Sequence, residues 1–261
     1  MAGIAFDQRD GLIWYNGEFI PWADAKVHVL THGLHYASCV FEGVRAYGGE
    51  IFRLEDHTNR LIKSGEMMGV SAQSNSINVA IAAWEWPSYF DPAERLRGIR
   101  LDHAIYRRPD PRTAPSKAKA AGLYMICTLS KHAAEAKGYA DALMLDWRGH
   151  VAETTGANVF FVKDGVIHTP DPDCFLAGIT RDTVIGLAKK RGIEVVERTI
   201  MPEELDGFEQ CFLTGTAAEV TPVSEIGEHR FVVGDITRQL MNDYLAEVQP
   251  KAAAAPLAAA G

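Results

Sequence analysis

The sequence predicts an α+β protein whose sheet is mostly antiparallel or mixed. Two dipeptides that suit tight turns, Asn16-Gly17 and Asp164-Gly165, each separate two short strand-like stretches and so predict hairpins. An amphipathic helix is predicted over residues 180–191, where apolar side chains recur with helical spacing. Strand and helix patterns do not alternate regularly along the chain, which argues against a doubly wound parallel sheet.

The N-terminal third contains short, turn-rich elements. Strands over residues 12–15 and 18–21 form the first hairpin, and a second strand pair, 44–47 and 50–53, turns at Gly48-Gly49. Apolar spacing after residue 53 predicts a short helix that includes Arg60. The segment over residues 84–92 combines prolines with aromatic residues, a composition that suits a linker. We therefore expect a small α/β domain over 1–84, a linker over 85–92, a large domain over 93–248 and a disordered Ala/Pro tail over 249–261.

The large domain is predicted to contain most of the regular structure. A strand over 99–106 is followed by a helix over 123–137 that stops at Gly138. The second hairpin pairs 158–162 with 166–169, and the amphipathic helix ends before Gly192. Further strands are expected near residues 195, 212, 220 and 231.

Composition excludes several classes of protein. The 261 residues are 47% hydrophobic, enough for a substantial core, and the formal charge of −8 argues against a nucleic-acid partner. No apolar run approaches the roughly 18 residues of a membrane span, and no secretion signal is recognisable. The cysteines are widely spaced without a CxxC pair, which favours reduced thiols and a cytoplasmic location: Cys39, Cys127, Cys174 and Cys211.

Lys119 is the most informative residue. It lies between small residues, with Tyr124 five positions later, an arrangement that suits an amine attacking the carbonyl of a flat cofactor. Partial desolvation and a nearby cation would lower the pKa of such an amine. Lys117 is an alternative nucleophile, and a solvated helix start is the alternative structural interpretation.

Three downstream segments, 151–158, 176–181 and 213–222, have the composition of one phosphate-binding cofactor site. Together with the Lys119 run they resemble the fold-type IV pyridoxal-phosphate enzymes, which have the D-amino acid aminotransferase-like fold. Within that group the sequence is most similar to the branched-chain amino acid aminotransferases. The resemblance extends from about Trp14 to Leu245, in the order of the family.

The resemblance implies pyridoxal 5'-phosphate as the cofactor and Lys119 as the catalytic residue. It places the phosphate at the N-terminus of the helix after Gly178, a location where unpaired N–H groups favour anions. Glu153 would pair with the ring nitrogen and Tyr124 with the phenolic oxygen. The full cofactor set is Arg60, Lys119, Tyr124, Glu153, Asn158, Leu176, Gly178, Ile179, Thr180, Gly215 and Thr216. Without the resemblance, Thr180 is an ordinary helix cap, and Arg60 and Glu153 are surface residues.

Substrate residues follow from the same resemblance. Aromatic side chains would line an apolar pocket, and backbone N–H groups after Gly215 would hold an α-carboxylate; the set is Tyr36, Phe41, Arg45, Tyr89, Thr216 and Ala217. The histidines at 28, 32 and 35 lack the HExxH spacing and a carboxylate partner, so we expect no metal site.

The chain departs from the family at Ser64-Gly65-Glu66, where two pieces that family members separate by a helix and a strand are joined directly. The Tyr-x-Arg-Pro motif of that strand is missing at this place, and Arg107-Arg108-Pro109 lies in the wrong domain to replace it. The small domain is therefore expected to be truncated and reorganised.

The resemblance implies transamination of branched-chain L-amino acids (leucine, isoleucine, valine) with 2-oxoglutarate, by a homodimer or higher oligomer without nucleic-acid or membrane partners. Two alternatives stay open. One is an aminodeoxychorismate lyase or D-amino acid transaminase of the same fold; the other is a cofactor-binding relative whose catalysis is impaired by the missing segment.

Overall fold

The computed structural model describes residues 4–70, 76–86 and 96–250. The chain begins with β1 (Leu12–Tyr15) and β2 (Glu18–Pro21), followed by α1 (His32–His35), β3 (Ala46–Tyr47), β4 (Glu50–Ile51), α2 (Leu54–Met67) and β5 (Ala80–Ile81). β1 lies between β2 and β5 in a three-stranded antiparallel sheet, and β3 pairs with β4.

The remaining strands form one large sheet, and the remaining helices pack against it. They are β6 (Ile99–His103), α3 (Met125–Glu135), β7 (Asp141–Leu145), β8 (Val151–Thr154), β9 (Asn158–Lys163), β10 (Val166–Thr169), α4 (Ile179–Lys190), β11 (Val195–Glu197), β12 (Gln210–Gly215), β13 (Glu219–Ile226), β14 (His229–Arg230) and α5 (Asp235–Glu247). The strand order is β11-β10-β9-β12-β13-β6-β7-β8, and β8 also pairs with β9. This last pairing closes β9, β12, β13, β6, β7 and β8 into a ring.

Successive side chains of the ring strands point to opposite faces of the sheet, and this produces two separate hydrophobic clusters. In β9, Phe161 faces a cluster built from one face of all six ring strands, whereas Phe160 faces α4 and α5. In β12, Leu213 and Phe212 divide in the same way, and Phe160 stacks on Phe212 with centroids 5.0 Å apart. Because both faces are buried, these strands are almost continuously apolar in sequence.

The N-terminal part buries little of its own apolar surface. Among the described residues, only Ile13 and Trp22 of the 39 buried hydrophobic residues precede residue 87, whereas 20 of the 29 exposed large hydrophobic residues do. Tyr47 and Phe52 instead pack on the cluster between the sheet, α4 and α5. Residues 4–86 therefore depend on the large sheet for packing and leave an apolar surface uncovered.

The predicted α+β class with a mixed sheet is confirmed. Both hairpins form at the expected turns: Asn16 and Asp164 adopt positive φ (51° each), as do the glycines that follow them. Parallel pairings occur between β10 and β11, β13 and β6, and β6 and β7, and antiparallel pairings make up the rest.

Several predicted boundaries are wrong. The helix of Arg60 is not short: α2 has 14 residues and runs through Ser64-Gly65-Glu66 without a break. The predicted strand 99–106 ends at His103, and the helix predicted over 123–137 spans Met125–Glu135, because a 3-10 helix (Ala121–Leu123) precedes it. The predicted linker lies mostly outside the described residues. No helix in the described ranges is long and apolar enough to cross a bilayer.

Candidate active site

Lys119 and Tyr124 line a cavity that is bounded by α2, β8, β9, β12 and the start of α4. The Lys119 Nζ donates a hydrogen bond to the Tyr124 hydroxyl at 2.7 Å and lies 4.6 Å from the centroid of the Phe41 ring. Burial, together with the nearby Arg60 cation, lowers the pKa of Lys119 to about 8. This lower pKa increases the fraction of Lys119 that is neutral, and the neutral amine is the form that attacks a carbonyl. Lys117 is exposed.

The backbone around Lys119 is fixed from two sides. Its N–H donates to the buried Ser64 Oγ of α2 at 3.0 Å, and its carbonyl accepts the Phe41 N–H at 3.1 Å. The 3-10 helix that follows returns the chain, so that Tyr124 reaches the amine five residues later. The five-residue separation of Lys119 and Tyr124 in the sequence therefore corresponds to one compact turn of the chain.

Glu153 lies at another wall of the cavity, on β8. Its side chain is 12% exposed, with the Arg108 Nε 3.3 Å from one carboxylate oxygen and the Asn158 amide donating to the other at 3.4 Å. Burial raises the pKa of Glu153 to about 7, while the cations Arg108 and Lys119 oppose this rise. The carboxyl group is thus poised between its neutral and ionised forms, and a cationic ligand would favour the ionised one.

Arg108 was missed as a site residue by the sequence analysis. It is 3% exposed, and its N–H donates to the Leu145 carbonyl at 2.8 Å, which fixes it beside β7. Its guanidinium also donates to the Cys127 Sγ at 3.5 Å. Residues 106–109 have the letters of Tyr-x-Arg-Pro, but they lie between β6 and α3, far along the chain from Ser64-Gly65-Glu66. The available signal was an arginine just beyond the predicted strand over residues 99–106.

Asn158 connects the Glu153 wall to the N-terminus of α4. Its amide donates to the Leu176 carbonyl at 3.0 Å, and its Oδ1 accepts the Gly178 N–H at 3.1 Å. A Cβ at position 178 would lie 2.3 Å from that oxygen, so any other residue would have to displace the Asn158 side chain and its bond to the residue 178 N–H. α4 then begins at Ile179, where unpaired N–H groups and the helix dipole favour an anion.

Arg60 reaches the cavity from α2, but not as a free cation. Its Nε and one terminal nitrogen donate to the two oxygens of Glu42 at 2.6 and 2.8 Å. The end of β12 supplies Thr216 on the same cavity. Gly215 stands close to the chain opposite it, since a Cβ there would lie 3.4 Å from the Ala157 Cβ.

The structure brings together every residue that the resemblance assigned to the cofactor: all of them line this one cavity. Residues that the sequence analysis did not assign complete the lining: Arg108, Cys127, Thr155, Gly156, Ala157 and Thr214. The Glu153 carboxylate and the helix N-terminus lie on different parts of the wall, with the Lys119 amine also facing the space. This arrangement suits a ligand that is cationic at one end and anionic at the other.

The predicted substrate residues are less concentrated. Phe41 packs edge-on against Tyr124 at 4.7 Å, next to the amine. Tyr36 is 68% exposed and its ring contacts His32 and His35. Two predicted residues contact each other, since Arg45 donates to the Ala217 carbonyl at 3.5 Å; Arg45 also pairs with Glu219. Tyr89 lies outside the described residues.

Among the described residues, one group has ligand atoms close enough to hold a metal ion: Asp146, Asp173 and Cys174. Arg148 already pairs with both carboxylates, at 2.5 and 2.7 Å. The guanidinium supplies the positive charge that these carboxylates need, and the group lies apart from the histidines considered in the sequence.

Comparison with known proteins identifies the family. A profile described as amino-transferase class IV matches residues 64–226. The chain belongs to the class IV aminotransferases. This class IV aminotransferase is 36% identical to the branched-chain-amino-acid aminotransferase of Pseudomonas aeruginosa, covering 95% of this chain and 96% of the relative. The alignment spans 295 positions, more than the 261 residues of this chain, so the chain lacks internal residues that the relative has.

Solved structures agree with this family assignment. The class IV aminotransferase chain superposes with a TM-score of 0.84 on the branched-chain aminotransferase of Thermoproteus uzoniensis with norvaline, at 33% identity over 92% of this chain and 95% of that one. It also matches an aminotransferase from Brucella abortus bound to the cofactor PLP, with a TM-score of 0.78 at 26% identity over 92% and 99% of the two chains.

Proposed function

We propose that this protein is a pyridoxal-phosphate-dependent transaminase that moves the amino group of branched-chain L-amino acids to 2-oxoglutarate. The observation that carries the proposal is the pairing of a half-buried Lys119 amine with Tyr124 in the cavity that also contains Glu153. The name of the Pseudomonas aeruginosa relative supports the branched-chain substrate class, and none of the relatives compared above favours the lyase or the D-amino acid transaminase.

The residues present fit the cofactor. Its anionic phosphate matches the start of α4 with Thr180, Thr216 and Arg60, and a protonated ring nitrogen matches Glu153. The Arg108 Nε lies 3.3 Å from the Glu153 carboxylate but makes no hydrogen bond among the described residues, so a small shift on ligand binding would complete this contact.

Each side chain then has a defined task. Pyridoxal phosphate, when bound, supplies an electrophilic carbon and an electron-withdrawing ring. The neutral Lys119 amine is the group that would hold the cofactor at that carbon, and as a free amine it would carry a proton as general base and acid. Tyr124 orients the Lys119 amine through their hydrogen bond. Glu153 in its ionised form stabilises a proton on the ring nitrogen, and Arg108 favours that ionised form.

The same proposal assigns the substrate contacts. Phe41, beside the amine, suits an aliphatic side chain, with Tyr36 and Tyr89 as further pocket residues. The backbone N–H groups of Thr216 and Ala217 suit an α-carboxylate. Arg45 helps by binding the Ala217 carbonyl, which positions that turn.

A homodimer and a cytoplasmic location complete the proposal. The exposed apolar surface of residues 4–86 supports self-association, because monomers rarely leave so much apolar area in water. All four cysteines are free, which supports a reducing compartment. Sedimentation velocity tests the dimer: a monomer at micromolar concentration would contradict it.

A substrate panel tests the function. Holoenzyme with 2-oxoglutarate should convert leucine, isoleucine and valine much faster than D-alanine. Preference for D-alanine would favour the D-amino acid alternative, and cofactor binding without turnover of any amino acid would favour the impaired relative.

A further inference from the structure

A buried carboxylate holds the cation at the phosphate end of the cavity. The Glu42 oxygens accept hydrogen bonds from Arg60 at 2.6 and 2.8 Å, and the His57 ring lies 2.7 Å from the same carboxylate. The Glu42 and His57 side chains are 7% and 4% exposed. Burial on its own raises the pKa of Glu42, but the bonds from Arg60 and His57 outweigh it and hold the pKa below its ordinary value. Glu42 is therefore ionised at neutral pH.

This cluster is joined to the backbone of Lys119. Phe41, next to Glu42, donates its N–H to the Lys119 carbonyl at 3.1 Å, and Ser64, one turn after Arg60 on α2, accepts the Lys119 N–H at 3.0 Å. The segment of Glu42 and the helix of Arg60 thus hold the lysine between them. A change in the Glu42–Arg60 pair acts directly beside the amine.

A carboxylate at this place works against a simple anion site, because it repels phosphate. The Glu42 carboxylate has a use if the Arg60 guanidinium must be held in one orientation and its charge partly offset. Two bonds to Glu42 fix the guanidinium plane and, among the described contacts, leave its other terminal nitrogen for a ligand. The negative charge of Glu42 also opposes the effect of Arg60 on Lys119, which keeps the amine a stronger base.

We propose that Glu42 is a positioning residue that fixes Arg60 for the cofactor phosphate and offsets the charge of Arg60 towards the Lys119 amine. The inference rests on the proposed cofactor site, but not on the choice of amino-acid substrate. Charged and titratable groups from the neighbouring elements also face the Lys119 amine and contribute to its electrostatic surroundings: Arg60, Glu42, Glu153, Cys127 and Tyr124.

The charge role is tested by the pH dependence of Lys119 labelling in apoprotein. A small neutral aldehyde with cyanoborohydride labels the free amine, and mass spectrometry locates the product. The wild-type midpoint should lie near pH 8. Glu42→Gln keeps the shape but removes the charge, so its midpoint should fall, whereas Arg60→Met should raise it. Glu66→Gln, an exposed glutamate of α2, is the matched control. An unchanged midpoint in folded Glu42→Gln, or no rise in Arg60→Met, overturns the charge role.

The orienting role is tested with Glu42→Asp, which keeps the charge but shortens the reach. The ratio of affinities for pyridoxal phosphate and pyridoxal measures the grip on the phosphate. That ratio should fall about tenfold in Glu42→Asp, the size of one charge-assisted hydrogen bond, while the labelling midpoint stays near that of the wild type. An unchanged ratio overturns the orienting role. Neither readout needs amino-acid turnover, so failure of the proposed transamination would leave this result standing, and the reverse also holds.

Discussion

The Lys119 amine and the Tyr124 hydroxyl lie 2.7 Å apart, and burial together with the Arg60 cation lowers the pKa of the amine to about 8. Burial also raises the pKa of Tyr124, so the phenol stays protonated. The two side chains therefore share one hydrogen bond, and the tyrosine carries no charge at neutral pH. This is the arrangement that makes Lys119, and not its neighbour Lys117, the expected nucleophile.

Replacing each lysine separately tests this assignment. Holoenzyme should show a visible absorption band that Lys119→Ala abolishes and Lys117→Ala retains, because only Lys119 faces the cavity. Circular dichroism checks that both variants fold. Loss of the band in Lys117→Ala alone would mean that the nucleophile has been misassigned.

Glu153→Gln should keep most of the cofactor bound through its phosphate, yet lower turnover about a hundredfold or more, because the ring nitrogen loses its anionic partner. Cofactor affinity and kcat measured on the same preparation separate the two effects. Wild-type turnover in this variant would remove Glu153 from the mechanism.

Arg108→Met should shift the pH profile of kcat upwards. Activity requires ionised Glu153, and Arg108 opposes the rise of that pKa, which already reaches about 7. Without the cation the pKa rises further, so the acid limb of the profile moves to higher pH. Arg112→Met, on the same loop but exposed, should leave the limb unchanged. A shift towards lower pH would contradict the proposed role.

Gly178→Ala should weaken cofactor binding, since the new Cβ would lie 2.3 Å from the Asn158 oxygen and force the wall apart, at a cost of about 1–3 kcal/mol. Gly186→Ala is the matched control in the same helix, where a Cβ meets nothing within 4 Å. It should stabilise the protein by about 0.5–1 kcal/mol. Thermal unfolding with and without cofactor measures both, and equal behaviour of the two variants would show that the close approach is unimportant.

The turns and the long apolar strands could be predicted because their causes are local. Asn16-Gly17 and Asp164-Gly165 tolerate positive φ, and the alternation around Phe160 and Phe212 follows from two buried faces. The lining of the cavity around Lys119 could be predicted because the family motifs that contain the proposed cofactor residues are contiguous. Placing Glu153 on a buried strand, by contrast, requires the pairing of β8 with β7 and β9, which no local pattern specifies.

The residues missed were those defined by distant pairing. Arg108 becomes a cavity residue only because β6 and β7 lie side by side, and Glu42 becomes the partner of Arg60 only when α2 folds back on the preceding loop. The direct junction at Ser64-Gly65-Glu66 suggested a disrupted small domain. In the structure it is a continuous helical turn, and Ser64 is a hydrogen-bond acceptor for Lys119.

The transfer of nitrogen itself is the most direct test of the central claim. Holoenzyme is incubated with heavy-nitrogen-labelled leucine and unlabelled 2-oxoglutarate, and the products are followed by mass spectrometry, with Lys119→Ala as the control. Our account predicts labelled glutamate and the 2-oxo acid of leucine in equal amounts, and neither product in the control. The same incubation is repeated with labelled isoleucine and labelled valine. Bound cofactor without labelled glutamate from any of the three amino acids would contradict our account.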